Sequence, residues 1–320
     1  MKKALLFLVF AMVITVVAAC GSKNTSTDSE VSAGTETTQD AKGITVKHQL
    51  GETVVPKNPS KVVVFDYGTL DSLDKLGVDV LAVSKDSLPG YLEKFKDAKY
   101  ENAGGLKEPD FEKINSLKPD LIIISGRQQD SYEELSKIAP TIHLGVDTKR
   151  YMESFKENAE ILGKIFGKED AVKEELAKVD ETIATVSEKA KSSGKKALIV
   201  LANEGKVSAY GAGGRFGLIH DVLGFEQSDS NIEVSTHGKS ISFEYIVEKN
   251  PDYLFVVDRG AMSGGSGDSS AKQVVENDLV KNTNAFKDGK IVYLDPDYWY
   301  LSGGGLTSVP AMVDEVSKSL

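Results

Sequence analysis

Short apolar runs alternate with amphipathic segments along most of this 320-residue chain. These runs predict strands at residues 61–66, 80–83, 121–124 and 141–144. Helical spacing of apolar residues occurs at 67–76, 111–117 and 131–138. Residues 44–58 precede them and read as a short hairpin or edge strand. Continuous apolar strands alternating with helices predict a parallel sheet that is covered on both faces.

A different pattern fills residues 168–193, which contain no Gly or Pro. Apolar residues recur there at helical spacing, at Val172, Leu176, Val179, Ile183 and Val186. This predicts one long amphipathic helix, either separate from residues 151–166 or continuous with them. A second strand–helix alternation starts at residues 197–200. The fold class is therefore α/β, with two lobes joined by a single long linker helix.

An internal repeat supports two equivalent lobes. Residues 111–127 read FEKINSLKPDLIIISGR, and residues 243–259 read FEYIVEKNPDYLFVVDR. Without a gap, the Phe-Glu pair, the Pro-Asp pair and the final Arg match. Each unit predicts a helix, a Pro-Asp turn, a buried strand and an arginine. Any α/β unit has a similar outline, but these identities at matched spacing favour duplication.

The N-terminus predicts export and lipid anchoring. Lys2 and Lys3 precede an apolar run at residues 4–17, and the sequence VAAC ends at Cys20. This is typical of a lipoprotein signal peptide, with an ordinary signal peptide as the alternative. The predicted boundaries are a signal peptide at 1–19, a lipidated cysteine and flexible tether at 20–43, an N-terminal lobe at 44–166, a linker helix at 167–194 and a C-terminal lobe at 195–320.

Composition excludes several classes of function. Cys20 is the only cysteine, so disulfides and cysteine-ligated metals are excluded. The formal net charge is −10, and removal of the signal peptide with its two lysines brings it to −12. So acidic a chain is a poor binder of nucleic acid and of anionic membrane surfaces. We expect the membrane to be reached through the lipid on Cys20, on the outer face of the cell membrane.

Arginine is rare and placed in a pattern, since only four of the 38 basic residues are arginines. Arg127 and Arg259 each follow a buried strand, and Arg215 lies in a Gly-rich loop. Ligands of α/β sheets bind beyond the carboxyl ends of the strands, and guanidinium groups suit anions. The three predict a basic pocket for an anion. The alternative is three solvated or ion-paired side chains.

Weaker candidates for the pocket follow other strands or lie beside glycines. They are Lys85, Tyr67, Trp299, Tyr210 and His237. Trp299 in particular, the single tryptophan, is predicted to form a pocket wall or else to pack in the core.

No catalytic motif is present. The chain has no G-x-S-x-G, no P-loop and no paired histidines among His48, His143, His220 and His237. We therefore expect no catalytic residue, no cofactor and no metal held directly by the protein.

Glu112 and Glu244 are equivalent in the repeat, each in the first turn of a helix. One interpretation is helix capping and favourable interaction with the helix dipole. The other is an acidic contact on each lobe for a two-fold symmetric permease dimer. The two interpretations are compatible.

With these features, the chain resembles the iron-chelate and cobalamin binding proteins of ABC importers over residues 44–320. Stretches such as LKEPDF, RFGLIHDV, STHGKS, NPDYLFVVDRG and WYLSGGGL are similar to those of petrobactin-type catecholate siderophore-binding lipoproteins of Bacillus-like bacteria.

The resemblance implies a class III binding protein with a rigid linker helix, a ferric siderophore in the cleft and iron held by the siderophore's own oxygens. It also implies pocket roles for the three arginines, permease docking by the two glutamates, and an ABC permease with its ATPase as partner. Haem, cobalamin or another chelate remains an alternative ligand, and an exported chelatase-like enzyme remains an alternative class. A monomer is the simplest expectation.

Overall fold

The computed structural model describes residues 38–40, 43–264 and 271–320. An antiparallel three-stranded sheet comes first, in the order β1 (Thr38–Asp40), β2 (Gly43–His48) and β3 (Gly51–Val55). The β2–β3 pair is the predicted hairpin. Strand β1 lies within the predicted tether, where the edge of β2 offers unpaired backbone groups, and the tether boundary at 43 remains a prediction. The predicted signal peptide and Cys20 lie outside the described residues.

A five-stranded parallel sheet forms the first lobe. Its strands are β4 (Val62–Val64), β5 (Ala82–Val83), β6 (Glu101–Asn102), β7 (Leu121–Ile124) and β8 (Thr141–His143). Their spatial order is β6–β5–β4–β7–β8. Helices α1 (Tyr67–Lys75), α2 (Phe111–Leu117) and α3 (Tyr132–Ile138) connect them.

Successive residues of β7 pack on opposite faces of this sheet. Leu121 and Ile123 join a cluster with Leu70 of α1, whereas Ile122 and Ile124 join a cluster with Ile114 of α2. All four strand residues are fully buried. The continuous apolar run is thus explained by helices on both sides, as predicted.

Two helices follow the first lobe, α4 (Tyr151–Phe166) and α5 (Glu169–Ser193). They are separate because Gly167 adopts a left-handed conformation with φ of 62°, which L-residues with side chains rarely adopt. Gly194, with φ of 61°, ends α5 in the same way. Helix α5 is the predicted linker, and the boundaries proposed at 166/167 and 194/195 remain a prediction.

The second lobe has a mixed sheet in the order β12–β10–β9–β13–β14, with β11 paired to β9. The strands are β9 (Lys196–Asn203), β10 (Lys206–Tyr210), β11 (Glu226–Gln227), β12 (Lys239–Ile241), β13 (Tyr253–Asp258) and β14 (Ile291–Leu294). The helices are α6 (Phe243–Lys249), α7 (Ala271–Val275), α8 (Asn284–Lys287) and α9 (Ser308–Ser319). Strands β9, β11, β13 and β14 are parallel to one another. Strand β10 pairs antiparallel with both of its neighbours, β9 and β12.

The repeated Pro-Asp turn does the same work in both lobes. Asp120 donates its backbone N–H to the carbonyl of Lys61 at 2.8 Å and accepts from the N–H of Lys61 at 2.9 Å. Asp252 makes the same two contacts with Lys196, at 2.9 and 3.0 Å. Each aspartate therefore aligns its own strand with the neighbouring strand of the sheet, and the two lobes share this local arrangement.

None of the helices that the structure describes is both long and apolar enough to cross a membrane.

Candidate functional site

A five-residue helical turn, Asp297–Leu301, follows β14 and meets both lobes. Its Tyr300 carbonyl oxygen accepts from the Arg127 guanidinium at 2.7 Å and from the Arg215 guanidinium at 2.8 Å. Arg127 also donates to the Leu301 carbonyl at 3.3 Å. One arginine from each lobe thus converges on a single backbone atom.

The Tyr300 ring lies close to both arginines of the second lobe. The guanidinium carbon of Arg215 is 3.8 Å from the ring centroid, and that of Arg259 is 5.5 Å away. Such contacts between a cation and an aromatic face are attractive. The three predicted arginines, here called the arginine cluster, are therefore brought together around Tyr300.

Strand ends and tight loops position the cluster. Arg127 follows β7 in the turn Gly126–Ser131, where Gln128 is buried and accepts from the Ser125 N–H at 3.0 Å. Arg259 directly follows β13. Arg215 lies in the loop after β10, whose Gly213 carbonyl accepts from the first-lobe Thr148 hydroxyl at 3.0 Å. Arg127 and Arg259 thus lie beyond the carboxyl ends of their strands, as predicted, and Arg215 lies in the predicted Gly-rich loop.

The cluster carries positive charge in a partly buried setting. Burial lowers the pKa of Arg215 from its ordinary value, and the charge of Arg127 lowers it further. Burial alone raises the pKa of Tyr300, but Arg215, Arg259 and Arg127 outweigh it and hold that pKa below its ordinary value. Between described side chains, the only arginine ion pair is Arg150 with Glu157. The cluster therefore suits an incoming anion.

Two weaker candidates lie at the surface. The Lys85 ammonium donates to the carbonyls of Lys96 and Asp97, at 3.2 and 2.9 Å, within its own lobe. His237 is exposed in a turn whose Gly238 packs against the Tyr210 ring. No contact between described residues joins either side chain to the arginine cluster, and their roles remain predictions.

Three aromatic candidates are buried, and for Tyr67 and Tyr210 a role in the ligand site remains a prediction. Tyr67 is inaccessible and donates to the Ser84 carbonyl at 3.1 Å. Tyr210 is 2% exposed and packs against Phe216, with ring centroids 4.7 Å apart.

For Trp299, the structure favours the core alternative over a pocket wall. Its side chain is 3% exposed, and its indole N–H donates to Glu315 at 2.7 Å. An indole needs a polar partner when it is buried, and Glu315 supplies one. The core alternative given above is the correct one for this residue.

Sequence reasoning missed Tyr300 as the central aromatic residue. It stands beside Trp299 in the YWY triplet, and the rarity of tryptophan drew attention to the wrong member. Adjacent positions in a helical turn point in different directions, so one neighbour is buried when the other is half-buried. The sequence feature that could have identified Tyr300 is the YWY triplet itself.

Glu112 and Glu244 are both exposed in the first turns of α2 and α6. Hydrogen bonds with its own backbone N–H and with Ser242 lower the pKa of Glu244. In α2 the capping contact comes instead from Asp110, which accepts from the Lys113 N–H at 2.9 Å. Capping thus applies to Glu244, and the docking interpretation, which is compatible with it, remains a prediction for both glutamates.

Two further observations concern possible bound groups. A cavity of about 350 Å³ borders Arg259 and is also lined by Asn203, Asp258 and Met262. Among the described residues, no three His, Cys, Asp or Glu side chains are grouped so that they could hold a metal ion.

Two α/β lobes joined by one long helix, with basic side chains from both lobes at their junction, are the architecture of a solute-binding protein. The family model described as "Periplasmic binding protein" matches residues 62–298. The chain belongs to this family.

Named relatives agree with that assignment. The chain is 56% identical to the petrobactin-binding protein YclQ of Bacillus subtilis, covering 100% of this chain and 99% of YclQ. The crystal structure of YclQ superposes with a TM-score of 0.83 at 60% identity, covering 86% and 97% of the two chains. The catecholate-siderophore binding protein VctP of Vibrio cholerae gives 0.81 at 39% identity, covering 88% and 100%. These proteins are named for binding, so the prediction of a binding protein rather than an enzyme is confirmed.

Proposed function

We propose that this chain captures an anionic ferric siderophore of the petrobactin-like 3,4-catecholate class between its lobes. It then delivers the complex to the permease of an ABC importer. The observation that carries the proposal is the convergence of Arg127, Arg215 and Arg259 on Tyr300. Three guanidinium groups offset the charge of an anionic chelate and donate to its oxygens. The ligand class is supported by the names of YclQ and VctP.

Iron is cargo in this proposal and reaches the protein already bound by the siderophore. That agrees with the donor set, because the described residues of the cleft offer guanidinium and phenol groups rather than clustered carboxylates and imidazoles. The protein's part is to recognise charge and shape.

Anchoring on the outer face of the membrane is proposed through Cys20, as a lipid-modified N-terminus after removal of residues 1–19. The support is the sequence VAAC after an apolar run. Replacing Cys20 by Ala in the full chain is expected to release the protein into the medium. Retention of the variant in the membrane fraction would contradict lipid anchoring.

Docking on a permease dimer with its ATPase is proposed through Glu112 and Glu244. Both are exposed, and the repeat places them equivalently on the two lobes. A pair of equivalent acidic contacts suits a partner that is itself two-fold symmetric. The binding protein acts as a monomer in this arrangement.

The ligand is tested by titrating the purified chain lacking residues 1–20 and following intrinsic fluorescence. The ligands are ferric and iron-free petrobactin, a ferric enterobactin-type chelate, a ferric hydroxamate, haem and cobalamin. Saturable quenching by ferric petrobactin at lower concentrations than by the other ligands is expected. Equal responses to all, or none to any siderophore, would contradict the proposed ligand class, and tighter binding of haem or cobalamin would replace it.

A further inference from the structure

The stretch of chain that carries Tyr300 is attached to the first lobe, although it follows the last strand of the second. We call residues 297–308 the return segment. Its Asp297 carboxylate accepts from the Gly90 N–H at 2.6 Å, and its Ser302 hydroxyl contacts the Tyr91 hydroxyl at 2.7 Å. Its Leu306 N–H donates to the Ser72 hydroxyl at 3.1 Å. All three partners belong to the first lobe.

Asp71 of α1 makes the most concentrated of these contacts. One carboxylate oxygen accepts from the Thr307 N–H and the other from the Ser308 N–H, both at 2.7 Å. The second oxygen also contacts the Tyr91 hydroxyl, at 3.1 Å. The Thr307 and Ser308 N–H groups lie at the start of α9, where a helix has unsatisfied N–H groups and favours negative charge. Asp71 is 1% exposed.

On the same face of α1, the backbone of the return segment packs directly against the helix at Gly68. A side chain at Gly68 would place its Cβ 2.9 Å from the Ser302 carbonyl oxygen and 3.1 Å from the backbone of Gly304. Either distance is shorter than ordinary van der Waals contact. Helix α1 and the return segment are therefore packed backbone against backbone, with Asp71 one turn further along α1.

We propose that Asp71 is a positioning residue for Tyr300. By fixing the end of the return segment to α1, it holds the Tyr300 ring and carbonyl where the arginine cluster meets them. Tyr300 is then held in place by the first lobe, which also carries Arg127. Arg215 and Arg259 contact it from the second lobe. This inference rests on the proposed function only for its effect on ligand affinity.

The chain offers a matched control in Asp229 of the second lobe. Asp229 is 8% exposed, accepts from the Tyr245 hydroxyl at 2.6 Å, and accepts from the Asn231 N–H at 2.9 Å. Like Asp71, it accepts from a tyrosine hydroxyl and from a backbone N–H, but it also pairs with the Lys249 ammonium at 3.4 Å and does not touch the return segment. Loss of either carboxylate is expected to destabilise the fold.

The experiment compares Asp71→Asn with Asp229→Asn, using ferric petrobactin as the probe. Asp71→Asn is expected to weaken binding about tenfold, whereas Asp229→Asn changes it less than about twofold, at comparable loss of thermal stability. In a Tyr300→Ala background, Asp71→Asn is expected to have no further effect, since the two act together. Equal losses for the two aspartates, or additive effects with Tyr300→Ala, would overturn the inference.

A second readout needs no siderophore. The phenol of Tyr300 is titrated by ultraviolet absorbance, as the difference between each protein and its Tyr300→Phe version. Loss of a negative charge at position 71 alone would lower a nearby phenol pKa, whereas displacement of Tyr300 from the arginines raises it. A rise in Asp71→Asn is expected, and a fall or no change would sink the inference.

Should Asp71→Asn fail to fold, Ser72→Ala provides a milder break of the same contact surface, and the same rise is expected. Wild-type protein that binds no ferric siderophore, together with a raised Tyr300 pKa in Asp71→Asn, would reject the proposed ligand and keep the positioning role.

Discussion

Arg127 and Arg215 donate hydrogen bonds to the same atom, the carbonyl oxygen of Tyr300, at 2.7 and 2.8 Å. Like charges from opposite lobes are held together by a shared acceptor and by the Tyr300 ring beneath Arg215. A charged oxygen accepts more strongly than a neutral carbonyl. We therefore expect an anionic ligand to bind to guanidinium groups that are already gathered at the junction.

Removing any one arginine of the cluster should weaken binding of the ferric chelate. Arg127→Ala, Arg215→Ala and Arg259→Ala are each expected to raise the Kd about 10- to 100-fold, because hydrogen bonds to charged groups contribute roughly 1.5–3 kcal/mol. Fluorescence titration gives the Kd, and circular dichroism checks the fold.

Arg150→Ala is the matched control, since it removes the same charge from an exposed pair with Glu157. Its Kd should remain within about twofold of wild type. A loss as large as that of the cluster variants would attribute binding to net charge rather than to the site.

Tyr300 and Trp299 should separate binding from stability. Tyr300→Ala is expected to weaken binding about tenfold because the ring that contacts two guanidinium groups is lost. Trp299→Phe should leave binding unchanged but lower the free energy of unfolding by about 1–3 kcal/mol, since the half-buried Glu315 loses one of its donors. Calorimetric titration and denaturant unfolding measure the two effects. Unchanged binding in Tyr300→Ala together with weaker binding in Trp299→Phe would instead make Trp299 a wall of the site.

The paired glutamates should matter for transport only. Glu112→Ala with Glu244→Ala is expected to leave the Kd for the ferric chelate unchanged and to abolish uptake of the radiolabelled complex by cells, because the symmetric acidic contacts are lost. Glu188→Ala with Glu233→Ala removes the same two charges from other exposed positions and should preserve uptake. Loss of ligand binding in the first double variant would refute the docking role.

Acid should destabilise the fold partly through His48. Burial, together with the smaller effect of the nearby His143, lowers the pKa of His48 to about 4. The unfolded chain therefore takes up a proton at higher pH than the folded one. The stability that His48 contributes is present above its unfolded pKa of about 6.5 and is lost as the pH falls toward 4.

His48→Gln is expected to show a smaller loss of unfolding free energy between about pH 7.5 and pH 5 than wild type, measured by urea denaturation. His237→Gln, at an exposed position, is the control and should follow the wild-type pH dependence. Identical pH dependence in all three proteins would remove His48 as the cause.

The sequence alone determined the elements and the chemistry of the cleft. A strand that is buried on both faces of its sheet needs an uninterrupted apolar run. Strands β7 and β13 could therefore be predicted from their apolar runs alone. The repeated Pro-Asp turn and the following arginine are local features, and the structure places Asp120 and Asp252 in the same roles. Strand ends fix where Arg127 and Arg259 lie, because direction along a parallel sheet is shared.

Only the tertiary structure decided which side chains meet. Trp299 and Tyr300 are neighbours in one turn, and packing against Glu315 on one side and the arginines on the other assigns their roles. Asp71 gave no local sign of its partners, since Thr307 lies more than two hundred residues away. Periodicity records which face of an element is buried, whereas the identity of the covering residue depends on how distant segments pack. For that reason the arginines could be predicted from the sequence, and the residue that gathers them could not.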